Sequence, residues 1–205
     1  MTKLSLKSNN VIFCEMMSHP VVFSHQNPKT IGIIGDEENL ILNEVAKHSH
    51  LVEIQNILSN ELQVPSTDNR VKKYDYHNWT NILHSIDILI ALPESTPEAL
   101  KHYFNKLNSD GILIQTATSP FDQPSLKLLV SQLKQTGFQD LQILHFPQPN
   151  YPGGWRVAVI ALKTGIFKRL REKDIYNKSF KTQYYNFDIH RASLVLPEFM
   201  RETIT

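Results

Sequence analysis

Short apolar runs rich in Ile, Val and Leu alternate along this chain with longer stretches whose apolar residues recur every three or four positions. That alternation is the pattern of a parallel sheet covered on both faces by helices. The expected strands are Thr30–Ile34, Leu51–Ile54, Arg70–Tyr74, Ile86–Ala91, Gly111–Thr116, Leu141–Phe146 and Trp155–Leu162. Pro147, Pro149, Pro152, Gly153 and Gly154 separate the last two, a connection too short for a crossover helix, so these two should pair antiparallel. Two helices are well marked. In Thr96–Asn108, residues Ala99, Leu100, Tyr103, Phe104 and Leu107 share one face, Ser95 and Glu98 have capping-box spacing, and Pro97 sits in the first turn. In Asp122–Thr136, residues Leu126, Leu129, Val130 and Leu133 repeat the spacing, and Gly137 supplies a left-handed C-terminal residue.

Composition narrows this picture. With 205 residues and a formal charge of +1, the chain reads as one domain spanning 1–205, able to bury a core without disulfides. The one cysteine, Cys14, has no intrachain partner. No apolar stretch nears the ~18 residues of a membrane span and Met1 starts no charged-then-apolar leader, so no membrane association and a cytoplasmic location are expected. A near-neutral charge argues against nucleic acid, which binds through a surplus of Lys and Arg. Only 163–181 is biased, with seven Lys/Arg against Glu172 and Asp174, and it reads as a solvated helix and loop.

In an open parallel sheet, ligands bind beyond the carboxyl ends of the strands. The sequence places Gly35-Asp36-Glu37-Glu38, Gln55-Asn56, Asp75 and Leu92-Pro93-Glu94 there. A pyrophosphate needs close backbone amides and no repelling charge, which a single glycine before three carboxylates does not offer. Carboxylates suit hydroxyls, an amine or a sulfonium instead. Each group also has a plainer reading. Glu94 and the 36–38 cluster would favour helix N-termini, and Asp75 would be a turn residue. His48 and His50, two apart, do not face one metal, and no metal site is expected. Cys14 reads as a small buried hydrophobe, and Phe180, Tyr184, Tyr185 and Phe187 as packing.

The run Tyr184-Tyr185-Asn186-Phe187-Asp188-Ile189-His190-Arg191-Ala192-Ser193-Leu194-Val195-Leu196-Pro197-Glu198-Phe199 resembles the closing segment of the polyamine aminopropyltransferases, the spermidine synthase family. Glu15-Met16-Met17-Ser18-His19-Pro20 is similar to the entrance of that family's catalytic domain. Asn27-Pro28-Lys29 leading to Gly35, then Asn43-Glu44-Val45-Ala46-Lys47-His48, resemble its first strand and helix, and Asn150–Trp155 resembles the Tyr-Pro turn beside its amine site. The resemblance implies a class I methyltransferase-like, Rossmann-like α/β fold with a mostly parallel seven-stranded sheet whose last strand is antiparallel. It also implies transfer of an aminopropyl group from decarboxylated S-adenosylmethionine, a co-substrate and not a tightly bound cofactor, to putrescine. In that reading Glu94 is the catalytic base, Gly35, Glu38, Glu53 and Asp75 bind the nucleoside, Glu15 and Tyr151 bind the amine, and the chain forms a homodimer.

Departures from the family pattern leave alternatives open. Its glycine-rich loop is replaced by Gly35-Asp36-Glu37-Glu38-Asn39-Leu40, with Glu38 at the family's Asp. After the second strand, a gapped register keeps Glu53 as the ribose acid while the ungapped one puts Leu58 there. After the fourth strand, an ungapped count puts Leu92 at the family's first Asp, and a shift of two gives Glu94. Phe13 and Cys14 stand where the family has Tyr and His, and its small N-terminal β domain is absent or reduced to a remnant within 1–14. The rival reading is a catalytically degenerate member acting as a binding or assembly partner.

Overall fold

The computed structural model describes residues 6–59, 66–81 and 85–203. Its strands are β1 (Thr30–Ile34), β2 (Glu53–Leu58), β3 (Val71–Asp75), β4 (Ile86–Ala91), β5 (Leu107–Thr116), β6 (Asp140–Pro147) and β7 (Trp155–Leu162). The helices are α1 (Leu6–Ser24), α2 (Leu40–Val45), α3 (Tyr76–Thr80), α4 (Pro97–Lys106), α5 (Gln123–Thr136), α6 (Glu172–Tyr176), α7 (Phe187–Ala192) and α8 (Glu198–Arg201). One seven-stranded sheet has the order β3-β2-β1-β4-β5-β7-β6. Only β7 runs against its neighbours, while the other pairs are parallel. This is the expected mostly parallel sheet with an antiparallel last strand. The order reverses between β1 and β4, which places the switch-point crevice beside Gly35 and Leu92.

Each face of the sheet carries its own core. Met16, Met17 and Phe23 of α1, Ile41, Leu42 and Val45 of α2, and Phe187 of α7 cover one face. Trp79 of α3, Leu100 and Tyr103 of α4, Leu126, Val130 and Leu133 of α5, and Met200 of α8 cover the other. Every such side chain taken fully out of water contributes ~1.5–3 kcal/mol. Gly137 closes α5 at φ 116°, as the sequence predicts, and Asp122 caps its start by accepting from Ser125 N.

Three elements differ from expectation. Strand β5 begins at Leu107 and not Gly111, so α4 stops at Lys106, short of Asn108, and Leu107 opens the strand. The second strand is Glu53–Leu58, not Leu51–Ile54, because Gln55 and Asn56 interrupt the apolar run yet are buried inside it. Their polarity is satisfied sideways: Trp79 Nε1 donates to Gln55 Oε1 at 2.8 Å and Asn56 Nδ2 donates to Asn39 Oδ1 at 2.8 Å. Helix α1 has no counterpart in the expected elements. Glu15, Ser18, His19 and Ser24 are buried together with its apolar residues, so no polar stripe betrays its period, and Pro20 lies within it. It runs unbroken through residue 14, where a boundary was expected. No helix among the described residues is long and apolar enough to cross a membrane.

Candidate functional site

The β1 turn is tight because Gly35 adopts φ 82°, and a Cβ there would lie 2.8 Å from Pro93 Cγ. Glycine is therefore required where the turn passes under the loop after β4. Asp36 is buried, and its carboxylate accepts from Leu40 N at 2.9 Å and Leu42 N at 2.7 Å. Burial raises its pKa against the lowering pull of those amides. Asp36 thus caps α2 with the donors that a ligand would otherwise use. Asn39 follows at φ 57°, in the left-handed region that Asn tolerates. Glu37 reaches across to the end of β2, where Ser59 Oγ donates to its Oε1 at 2.9 Å. Glu38 is exposed beside them. Gly35, Glu37, Glu38, Phe13, Cys14 and Leu92 line a hollow of about 200 Å³.

A second cavity of about 280 Å³ adjoins it on the other side of Leu92, lined by Glu94, Gln115, Thr116, Tyr151 and Arg156 among others. The loop from Leu92 to Ser95 is tied to β5. Thr116 Oγ1 donates to Leu92 O at 2.6 Å, Gln115 Nε2 to Pro93 O at 2.7 Å, and Ser95 Oγ to Gln115 Oε1 at 2.6 Å. Thr96, not Ser95, caps α4 by accepting from Ala99 N. Helix capping is thus accomplished without Glu94, whose exposed carboxylate faces the cavity. Arg156, which the sequence pattern did not single out, lies 4.5 Å from the Tyr151 ring and 4.8 Å from the Phe13 ring. Burial lowers its pKa, and the flanking aromatic faces stabilise the guanidinium. The only cue was its place just after the Tyr-Pro turn.

Three expected site residues are engaged elsewhere. Glu53 opens β2 opposite Thr30, at the amino edge, and pairs with Lys72. Five residues at ~3.3 Å put it about 16 Å from the strand's carboxyl end, so Leu58, not Glu53, stands at the functional edge. Asp75 does end β3, but its carboxylate accepts from His77 N at 2.9 Å and Asn78 N at 3.2 Å as the cap of α3, the turn role that was its plainer reading. Glu15 is 1% exposed and takes three backbone amides, Gln183 N at 2.8 Å, Tyr184 N at 2.9 Å and Tyr185 N at 2.8 Å. It clamps the C-terminal segment onto α1 and does not face either cavity. Cys14 is buried, and burial with nearby Asp36, Glu44 and Glu15 pushes its thiol up to about 12, which makes it a poor nucleophile.

Histidines concentrate on the α1–α2 face. His19 Nδ1 and His48 Nε2 share a hydrogen bond of 2.9 Å, and His19 Nε2 meets Glu44 Oε2 at 3.1 Å. Burial depresses His48 to about 2, aided by His19 and His50, and depresses His190 to about 3. His190 Nδ1 is paired with the buried Tyr185 hydroxyl at 2.9 Å. His25, Asp87 and Asp110 are the one group among the described residues spaced to hold a metal. Asp87 is already occupied, through Oδ2 by Lys29 N and Thr30 N and through Oδ1 by Asn108 Nδ2. His25 Nδ1 accepts from Asn27 N, which leaves the proton on Nε2, so this donor set does not fit a cation.

No family profile matches the chain. A polyamine aminopropyltransferase of Thioalkalivibrio sulfidiphilus is 34% identical across 96% of this chain and 79% of its own length. The one from Methylococcus capsulatus is 32% identical across 96% of this chain and 78% of its own. The chain belongs to the polyamine aminopropyltransferase family. The spermidine synthase of Thermotoga maritima superposes with a TM-score of 0.87 at 21% identity, covering 97% of this chain and 75% of that one. A spermidine synthase solved with the transition-state analogue AdoDATO gives 0.86 at 20% identity, covering 97% and 76%. These two likenesses establish the fold of this aminopropyltransferase family member.

Proposed function

We propose that the protein transfers an aminopropyl group from decarboxylated S-adenosylmethionine to putrescine, giving spermidine and methylthioadenosine. The observation that carries this reading is that Glu94 and Tyr151 share one cavity at the carboxyl edge, next to the Gly35 hollow, in a chain of the aminopropyltransferase family. The nucleoside would occupy the Gly35 side, with Glu37 and Glu38 as acceptors for hydroxyls. The amine would occupy the Glu94 side. Its neutral nitrogen attacks the carbon next to the sulfonium, the carbon–sulfur bond breaks, methylthioadenosine leaves, and the proton passes to the Glu94 carboxylate. Arg156 assists by charge, since a cation beside a bound amine disfavours the protonated form, which has no lone pair. Location in the cytoplasm and a homodimeric assembly belong to this reading.

The test is a direct assay with decarboxylated S-adenosylmethionine and putrescine, alongside calorimetric titration with methylthioadenosine. Spermidine formation with saturable nucleoside binding is the expected result. Leu92 immediately after β4 and the occupied α2 amides favour a second reading, a partner protein without turnover. No product at millimolar amine would replace the first reading with the second.

A further inference from the structure

The amino edge carries a cavity that the proposed reaction does not use. Helix α2 takes the chain from the Gly35 loop back across the sheet, and residues 47–50 turn there before β2. Together with Phe23 at the end of α1 and with α6 and the segment after it, this turn encloses about 310 Å³. Its lining holds three cations, Lys47, Arg171 and Lys178, together with the uncharged rings of His48 and His50, against one carboxylate, Asp174. The local ion pairs leave donors over. Arg171 gives one terminal nitrogen to Asp174 Oδ2 at 2.6 Å and the other to Val22 O at 2.9 Å, while its Nε is buried without a partner. His50 Nε2 is likewise buried without a partner. Lys47 is taken by Glu44 at 2.6 Å, and Lys178 has no ion-pair partner among the described residues. Around His50, Arg171, Lys29 and Arg70 supply positive charge and Asp174 negative charge, with Arg171 and Arg70 themselves paired to Asp174 and Asp68.

Buried donors without acceptors cost free energy unless a ligand supplies the acceptors, and clustered cations draw a compact anion with several oxygens. We propose that this amino-edge pocket is a second binding site, for a phosphate group, separate from the carboxyl-edge cavities. Ser49 and Ser179 add hydroxyl donors to the lining, and Phe23 and Phe180 form an apolar wall where the organic part of a phosphate ester would lie.

The experiment measures thermal midpoint and calorimetric binding of the whole chain with inorganic phosphate and with glycerol 3-phosphate, each against sodium chloride at matched ionic strength. The expected result is a saturable rise in midpoint with phosphate that chloride does not reproduce, weakened at least tenfold in Lys178→Glu and in His50→Gln. Both variants are read against their own ligand-free midpoints, so a folding defect separates from a binding defect. Tighter binding of glycerol 3-phosphate identifies an ester as the occupant, and equal binding identifies the free ion. A midpoint that responds to phosphate and chloride alike, or an unchanged dissociation constant in Lys178→Glu, overturns the proposal.

Discussion

The two hollows on either side of Leu92 are built from the same loop but differ in what is left for a ligand. On the Gly35 side the protein has used its own groups: Asp36 takes the amides of α2 and Pro93 covers Gly35. On the Glu94 side the hydrogen bonds that fix the loop run through Gln115, Thr116 and Ser95, and the Glu94 carboxylate is left exposed. In the proposed reading a nucleoside would therefore bind without the helix-terminal donors that usually receive polar ligands, whereas an amine would meet a ready carboxylate. Substitution at the second hollow should cost rate, and substitution around the first should cost nucleoside affinity or stability.

The largest expected effect lies at Glu94. Glu94→Gln should lower spermidine formation by ~10²–10⁴-fold, the usual contribution of a general base, with an unchanged thermal midpoint. A variant within threefold of the unaltered rate would remove Glu94 from the chemistry and erase the contrast. Glu15 should behave in the opposite way. Truncation in Glu15→Ala strands three amides that now share a buried carboxylate, each worth ~1–3 kcal/mol when left unpaired. A loss of ~3–5 kcal/mol in urea unfolding is expected, and Glu15→Gln, which keeps one acceptor oxygen, should recover part of it.

Acid sharpens the comparison further, because the buried histidines lie on the α1–α2 face and not in either cavity. His19, His48 and His190 all titrate below the ordinary 6.5 when folded. The unfolded chain therefore binds more protons than the native one as pH falls below 6.5, and stability is lost on acidification. It is fully present above that value. Each such histidine adds up to ~1.4 kcal/mol per pH unit to the slope. Urea midpoints from pH 7.5 to 5 should fall steeply, and His190→Gln should flatten the slope. A midpoint constant across that range would contradict the burial of these rings.

Periodicity was a good guide wherever burial was one-sided. Helix α5 with its Gly137 terminus, and the antiparallel β6–β7 pair with its Pro-Gly turn, follow directly from spacing. Helix α1 escaped because its stretch 14–24 is buried at every position and so has no polar stripe, and β2 was misplaced because Gln55 and Asn56 are core residues satisfied by distant partners. The site divides on the same lines. Glu94 and Tyr151 line one cavity, a shared placement anticipated by Glu94's position after a strand and by the resemblance of the Tyr151 turn to the family's. The engagement of Glu15 and Asp75 with backbone amides depends on which segments pack against them, and local sequence carries no record of that.

The smallest expected effect decides where the ribose would be read. Register places Glu53 opposite Thr30 at the amino edge with Lys72 as its partner, while Glu37 crosses from the β1 loop to Ser59 at the end of β2. One Glu37 oxygen accepts from Ser59, and a carboxylate has further lone pairs to accept from a diol. Glu53→Gln should therefore leave methylthioadenosine affinity within about twofold, since a neutralised carboxylate ~16 Å from the crevice has no contact to lose. Glu37→Gln should weaken binding by about tenfold, the loss of one charge-assisted hydrogen bond. If calorimetry instead finds the deficit at Glu53 and none at Glu37, the strand would have to run in the other register, and the assignment of the nucleoside to the Gly35 side would fail with it.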